Sequence, residues 1–131
     1  MSSRAEDWLR QAKIDLAHAQ EVSKSGFFEW GCFSAQQAAE KALKALYQHL
    51  HSEARGHSVK KLLELLPQGL VPSPELFEAA AALDKLYIPT RYPNGFETGV
   101  PHDYFNRKDL EEAIGYADEI IGFCDRNISR L

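Results

Sequence analysis

Residues 86–105, LYIPTRYPNGFETGVPHDYF, concentrate side chains that bind anions or transfer protons. Arg91 carries a planar guanidinium with five donors, which suits a phosphate group. Tyr92 and Tyr104 can stack on a base or donate a hydroxyl hydrogen bond, and His102 can exchange a proton near neutral pH. Arg91 and His102 therefore have the side-chain types needed for metal-independent RNA cleavage, in which a base deprotonates a ribose 2'-hydroxyl and a cation stabilises the pentavalent phosphate.

The same segment also has a purely structural interpretation. Pro89 and Pro93 stiffen its backbone. Arg91 can form a salt bridge with a neighbouring helix or cap it, while the aromatic residues hold an ordered loop in place. The residues alone leave both interpretations open.

A second candidate site is the start of HSVKKLLELL, where His57 and Ser58 stand at a predicted helix N-terminus. Backbone amide donors at such a terminus favour an anion such as phosphate. Ser58 can equally serve as a simple helix cap. We therefore include His57 among the candidate nucleotide- or RNA-binding residues, beside Arg91, Tyr92 and Tyr104.

The remaining polar and sulfur-containing residues have structural explanations. Glu40 and Lys44 are spaced to form an ion pair along one helix. At least one of Gln36 and Gln37 should turn inward and tie helices together by hydrogen bonds. Two cysteines, Cys32 and Cys124, lie far apart without a CxxC motif, and we expect buried thiols.

Neither the histidines nor the cysteines show the spacing of a metal site. The chain has five histidines, but no HExxH motif, no HxxxH pair suited to one ion and no supporting pair of cysteines. We expect no bound metal and no cofactor.

The elements that must position the candidate residues are helices. Apolar residues recur at helical intervals in SSRAEDWLRQAKIDLAHAQEVSKSG, where Ser3 and Glu6 form a capping-box pattern and Gly26 marks the predicted end. A longer second helix covers FFEWGCFSAQQAAEKALKALYQHLHSEARG, with Gly56 beyond its end. No segment shows the alternation typical of a strand.

Caps and helix breakers delimit two further helices. Ser58 begins a short third helix that Pro67 and Gly69 close. Ser73 caps the fourth helix, which is predicted to continue through ELFEAAAALDKLY as far as Pro89.

The last predicted helix lies in NRKDLEEAIGYADEIIGFCDRNISRL, with Asn106 as its cap. Its inner face is predicted to consist of Leu110, Ala113, Ala117, Ile120, Ile121 and Cys124. The fold class that follows is all-α, an antiparallel up-and-down bundle of four to five helices.

Length and charge limit the classes of function. With 131 residues the chain suits a single domain, residues 1–131. The formal net charge of −4 excludes a uniformly basic nucleic-acid surface, so any nucleic-acid role must rest on a local patch. No stretch has the apolar length of a membrane span or a signal core, and we expect a cytoplasmic protein without membrane contact.

In their order and spacing, five segments resemble the HEPN family, small helical domains named for their occurrence in higher eukaryotes and prokaryotes and for nucleotide binding. The segments are WLRQAKIDLAHA, CFSAQQAAEKALKALY, HSVKKLLELL, LDKLYIPTRYP and AIGYADEIIGFC. The resemblance implies a bundle of four or five helices that is commonly a homodimer. Such proteins are often encoded beside a minimal nucleotidyltransferase, with which they form a toxin–antitoxin pair, and the resemblance implies such a partner here.

Many HEPN proteins are RNases whose signature is an Arg followed after four to six residues by His, sometimes extended to His-x-Tyr. Here Arg91 precedes His102 by ten intervening residues, while HDY reproduces the His-x-Tyr part. By the same resemblance, Tyr104 is the residue that a nucleotidyltransferase partner would modify. Other relatives, including the domain at the end of sacsin, resemble nucleotide-binding modules, and a non-catalytic dimerisation or interaction module is the alternative.

Overall fold

The computed structural model describes residues 3–67 and 69–129. These residues form six α-helices, and no strand occurs among them. The helices are α1 (Ala5–Val22), α2 (Phe28–His49), α3 (Val59–Glu64), α4 (Pro74–Asp84), α5 (Pro101–Tyr104) and α6 (Arg107–Ser129). The all-α prediction is confirmed, whereas residues 2, 130 and 131 of the predicted helices lie outside the described residues.

Contacts between helix ends show the direction in which neighbouring helices run. The start of α1 meets the end of α2, where the Arg4 amide donates to Gln48 Oε1 at 3.3 Å. The end of α1 meets the start of α6, where Arg107 Nη1 donates to the Ser23 carbonyl at 3.0 Å. α1 is therefore antiparallel to both α2 and α6.

α4 completes the up-and-down arrangement. Its first residues share a surface depression with Gly122 and Arg126 in the second half of α6. Ala82, near its end, shares another with Asp109 in the first turn of α6. α4 is thus antiparallel to α6, as the predicted bundle requires.

One apolar cluster holds α1, α2, α3, α4 and α6 together. Its α6 side contains all six residues predicted for the inner face. Small residues allow the helices to approach closely. At Gly31 of α2, an added Cβ would lie only 2.7 Å from Leu110 Cδ1 on α6, so glycine is what lets α6 pack this tightly here.

Three predicted helix caps are confirmed. Ser58 Oγ accepts from the Lys61 amide at 3.1 Å, and Ser73 Oγ accepts from the Leu76 amide at 3.2 Å. At α6, Asn106 and Asp109 each accept from the other's backbone amide at 2.9 Å. Side-chain oxygens thus satisfy amide donors at these helix starts that have no partner within the helix.

The capping box predicted from Ser3 and Glu6 is wrong. Arg4 occupies the cap position of α1 and makes no side-chain capping bond, while Ser3 Oγ accepts from the Ala5 amide at 3.4 Å. The helix begins one residue later than the motif requires. α1 also ends earlier than predicted, at Val22, and Gly26 follows in a turn with a φ of 83°.

The segment after α4 is more structured than a loop. α4 ends at Asp84 rather than continuing to Pro89, because the next bonds are tighter turns in which Leu86 and Tyr87 donate to the carbonyls three residues before them. The helical turn α5 follows, stabilised by Asp103 Oδ2, which accepts from the Val100 amide at 3.0 Å. These turns place the candidate residues in a defined backbone.

The two cysteines are buried free thiols, as predicted. Burial raises the pKa of Cys32 to about 12, with smaller contributions from Asp109 and Glu29. Burial likewise raises the pKa of Cys124. Neither thiol therefore ionises appreciably at neutral pH.

Crossing a bilayer requires a long, strongly apolar helix, and residues 3–67 and 69–129 contain none.

Candidate functional site

One face of α2 buries polar side chains. Glu29, Gln36 and Glu40 are 6%, 0% and 4% exposed, respectively. Together with Phe33 they recur every three or four residues, so they form one line along the helix, which we call the α2 stripe. Because burying polar groups is costly unless they find partners, the groups that contact this stripe mark the most specialised part of the fold.

Each carboxylate of the α2 stripe holds a histidine from a distant segment. His102 Nδ1 donates to Glu29 Oε1 at 2.9 Å, and His57 Nδ1 donates to Glu40 Oε2 at 3.2 Å. Both histidine side chains remain more than half exposed. A carboxylate at Nδ1 fixes the tautomer and the ring orientation, which leaves Nε2 as the nitrogen that can act on a ligand.

Gln36 links the middle of the stripe to the start of α3. Its Nε2 donates to Glu40 Oε1 and to the His57 carbonyl, both at 3.3 Å, while its Oε1 accepts from Gln37 Nε2 at 2.8 Å. The prediction that one of the two glutamines turns inward and ties elements together is confirmed. The predicted Glu40–Lys44 ion pair also forms, at 2.9 Å.

Arg91 lies against three aromatic rings. Its guanidinium carbon is 4.4 Å from the centre of the Phe33 ring, 4.5 Å from Tyr87 and 5.1 Å from Tyr92. Arg91 Nε donates to the Tyr87 carbonyl at 2.9 Å. Within the part of the chain that the structure describes, Arg91 forms no salt bridge and its two Nη nitrogens donate to no acceptor. The salt bridge between Arg91 and a neighbouring helix, which the structural interpretation predicts, is therefore not found among the described residues.

Tyr87 joins two candidates that the sequence presents separately. The His57 ring stacks on the Tyr87 ring, with centroids 4.9 Å apart and planes 17° from parallel. Arg91 contacts the same ring. The structure thus brings His57, Arg91 and Tyr92 into one cluster, with Tyr87 in the middle.

His102 and Tyr104 lie on α5. His102 contacts α2 at Glu29, and Arg91 contacts α2 at Phe33. Glu29 and Phe33 are one helical turn apart on α2, about 6 Å along the helix axis. The ten residues between Arg91 and His102 therefore fold so that both side chains meet the same stretch of the stripe.

Tyr104 is held within its own segment. Its ring stacks on Phe96 with centroids 4.0 Å apart, and its hydroxyl donates to the Thr98 carbonyl. The side chain is still 46% exposed. A ligand can therefore reach the ring, whereas the hydroxyl already has a partner.

The alternative that the N-terminus of α3 binds an external anion is wrong. The Asp84 carboxylate occupies that position, accepting from Ser58 Oγ at 2.7 Å and from the Val59 and Lys60 amides at 2.6 and 3.2 Å. The terminus is capped from within the chain. His57 remains a candidate through its ring and not through the helix end.

We predict that Asp84→Ala lowers the free energy of unfolding by about 1–3 kcal/mol, because it removes the acceptor of three donors at the start of α3. Chemical denaturation followed by circular dichroism measures this change. Asp118→Ala, at an exposed position of α6, is the matched control and should change the value by less than about 0.5 kcal/mol. Equal losses in the two variants would contradict the cap.

Four residues that contact the candidate side chains were not among the predicted site residues: Glu29, Phe33, Glu40 and Tyr87. Tyr87 stands one helical turn before Arg91 in LYIPTRYP, a spacing that could have indicated contact. For Glu29 the local sequence gives no such signal, because its partner is 73 residues away.

Comparison with known proteins assigns the chain to a family. The model of the HEPN domain matches residues 5–127. The chain belongs to the HEPN family. No curated protein matches it.

Solved structures share this fold, and two of them are HEPN proteins by name. ST0689, an archaeal HEPN homologue, is 37% identical with a TM-score of 0.82, and the match covers 98% of this chain and 100% of that one. A HEPN domain protein from Thermotoga maritima is 37% identical with a TM-score of 0.78, over 95% of this chain and 99% of that one. TT1696 from Thermus thermophilus is 44% identical with a TM-score of 0.94, over 96% of this chain and 99% of that one.

In this HEPN protein the candidate side chains reach the surface, since His57 and His102 are more than half exposed and Tyr92 is 47% exposed. The depressions of about 560 and 650 Å³ lie along α1, where both are lined by Asp7, Arg10 and Ile14. Neither is lined by Arg91 or His102. Among the described residues, no group of three or more His, Cys, Asp or Glu side chains is arranged to hold a metal ion.

Proposed function

We propose that this HEPN protein binds a nucleotide or RNA, with Arg91 engaging a phosphate and Tyr92 or Tyr104 contacting a base or sugar. The main support for the proposal is the environment of the Arg91 guanidinium. Three aromatic rings support its guanidinium, and its Nη donors have no acceptor in the described part of the chain. A phosphate oxygen would supply charge-assisted hydrogen bonds to a group that is already positioned.

The binding of a phosphate at Arg91 is compatible with the net charge of −4 because the nearby carboxylates have partners within the protein. The two buried carboxylates of the α2 stripe each bind a histidine, and Glu40 also binds Lys44. Lys44 offsets the negative charge of Glu40, and oxygens of both carboxylates already accept hydrogen bonds, so the net charge of the whole chain does not describe the surface around Arg91.

The proposal extends to metal-independent RNA cleavage. His102 Nε2 takes the proton of a ribose 2'-hydroxyl, whose oxygen attacks the adjacent phosphorus while Arg91 stabilises the charge of the pentavalent phosphate. The bond from phosphorus to the 5'-oxygen then breaks, and solvent protonates that oxygen, which leaves a cyclic phosphate and a 5'-hydroxyl. Glu29 acts as a positioning residue because it holds His102 Nδ1.

If the protein is a nuclease, His102→Ala and Arg91→Ala should each slow cleavage of a labelled RNA by about 10²–10⁴-fold in the presence of a metal chelator. Gel analysis of the products measures the rate. His18→Ala replaces an exposed histidine of α1 and should retain the wild-type rate. Undiminished cleavage by both variants would reject the catalytic roles of His102 and Arg91, whereas no cleavage by the wild type would reject the nuclease and leave the binding function.

We further propose that the protein acts in the cytoplasm with a minimal nucleotidyltransferase, in a toxin–antitoxin-type module. Tyr104 would receive the nucleotidyl group. Its 46% exposure supports this role, although the hydroxyl must first release the Thr98 carbonyl to react.

The second candidate function is a non-catalytic dimerisation or interaction module. Large apolar side chains that are 46–54% exposed lie on or next to the segments that carry the candidate residues: Phe27, Trp30, Tyr92, Val100 and Tyr104. Such a grouping is typical of a surface that another protein covers. A homodimer with two-fold symmetry would bring two copies of residues 86–105 near one axis, and retained partner binding without RNA cleavage would favour this function.

A further inference from the structure

Tyr87 contacts Arg91 in two different ways. The Tyr87 carbonyl accepts from Arg91 Nε at 2.9 Å, and the Arg91 guanidinium carbon lies 4.5 Å from the centre of the Tyr87 ring. The first contact belongs to the backbone, whose turn is held by the buried Thr90, which donates to the Leu86 carbonyl at 2.6 Å. Only the second contact depends on the Tyr87 side chain, so a substitution there changes the ring and leaves the turn in place.

The Tyr87 ring is itself held by the His57 ring. The two rings stack with centroids 4.9 Å apart and planes 17° from parallel. His57 is fixed at two points, because its Nδ1 donates to Glu40 Oε2 at 3.2 Å and its carbonyl accepts from Gln36 Nε2 at 3.3 Å. Glu40 is 4% exposed and also accepts from Lys44 Nζ at 2.9 Å. The buried carboxylate is therefore a fixed anchor for the imidazole.

These contacts form a continuous path from a buried carboxylate to the Arg91 guanidinium. The path runs from Glu40 to His57, and from His57 through Tyr87 to Arg91. An arginine side chain loses rotamer freedom when a ligand immobilises it. A guanidinium that already lies against a fixed ring gives up less of this freedom, and therefore binds an anion more tightly, than one that moves freely.

We propose that Tyr87 is a positioning residue for Arg91 and that His57 acts on Arg91 through the Tyr87 ring. The proposal rests on the proposed binding of a phosphate by Arg91 and names the residues that prepare this side chain for it. His57 then supports Arg91 instead of contacting the ligand, because Tyr87 covers one face of its ring and Glu40 binds its Nδ1.

Two variants test the role of the ring: Tyr87→Leu removes it, and Tyr87→Phe keeps it. Nuclear magnetic resonance of the isotope-labelled protein reports on the Arg91 Nε–H group, whose signal the neighbouring rings displace from that of an exposed arginine such as Arg10. The Arg91 signal should move towards the Arg10 signal in Tyr87→Leu and stay in place in Tyr87→Phe. The Arg107 guanidinium lies 5.0 Å over the Phe28 ring, so its unchanged signal is the control for an intact fold.

Titration with inorganic phosphate, followed by the same signal, measures how well Arg91 binds an anion in the absence of any base. Tyr87→Leu should weaken phosphate binding by about 2–5-fold, the effect of losing one exposed cation–π contact, whereas Tyr87→Phe should match the wild type. His57→Ala should also weaken phosphate binding in the wild-type background. It should have no further effect when combined with Tyr87→Leu, because two residues that act through one contact are not additive.

The outcomes separate the positioning role from the binding function. If phosphate does not move the Arg91 signal of the wild type, the binding function fails, while the signals of the ligand-free variants still decide the positioning role. An Arg91 signal that is the same in Tyr87→Leu as in the wild type overturns the role of Tyr87. A further loss of affinity on adding His57→Ala to Tyr87→Leu overturns the path through the ring and indicates that His57 contacts the ligand itself.

Discussion

Replacing Arg91 by alanine is expected to weaken the binding of a nucleotide or short RNA by more than tenfold. A hydrogen bond to a charged group contributes about 1.5–3 kcal/mol, and about 1.4 kcal/mol corresponds to a tenfold change in affinity. Arg91 is the cation that lies on the Phe33, Tyr87 and Tyr92 rings. Isothermal titration calorimetry with purified wild type and variant measures the effect.

Two further variants show whether the shape of the side chain matters as well as its charge. Arg91→Lys keeps the charge but loses the planar fork and its stacking on the rings, so we expect an affinity between those of the wild type and of Arg91→Ala. Arg10→Ala removes an equal charge from an exposed position on α1 and should leave the affinity unchanged. Unchanged affinity in Arg91→Ala would reject the role assigned to this residue.

Leu43→Ala is expected to lower the free energy of unfolding by about 2–5 kcal/mol, the range for truncating a fully buried leucine. Leu43 is 0% exposed and belongs to the apolar cluster that joins the helices. The loss combines the transfer of the removed atoms to water with the cavity that they leave. Urea denaturation followed by circular dichroism measures the change.

Leu65→Ala is the matched control because the same substitution falls on a residue that is 66% exposed. We expect a change of less than about 0.5 kcal/mol there. A loss at Leu43 no larger than the loss at Leu65 would mean that Leu43 does not lie in the apolar core.

The helical framework could be predicted because its signals are local. Ser58, Ser73 and Asn106 cap their helices through bonds that span only three residues, so the pattern is visible in a short window of sequence. The capping box at Ser3 was predicted wrongly because Arg4 occupies the cap position of α1. A matching pair of residues does not fix which residue begins the helix, and here α1 starts after Arg4.

The end of α4 was mispredicted for a related reason. Pro89 marks the latest residue at which the helix can continue, but it does not determine where the helix stops. The Asp84 carboxylate caps α3 from the last residue of α4, and the chain then continues in tight turns towards Arg91. A tertiary contact and a change of turn type coincide there, and neither is visible in the helical periodicity.

The sequence by itself determined the helical class, most of the caps, the family, and the residue types that can engage a phosphate or move a proton. Only the tertiary structure decided which groups meet. His102 and Glu29 are 73 residues apart, and His57 and Glu40 are 17 apart. Local periodicity reports which face of a helix is buried, whereas the partner of a buried carboxylate depends on how distant segments pack against that face.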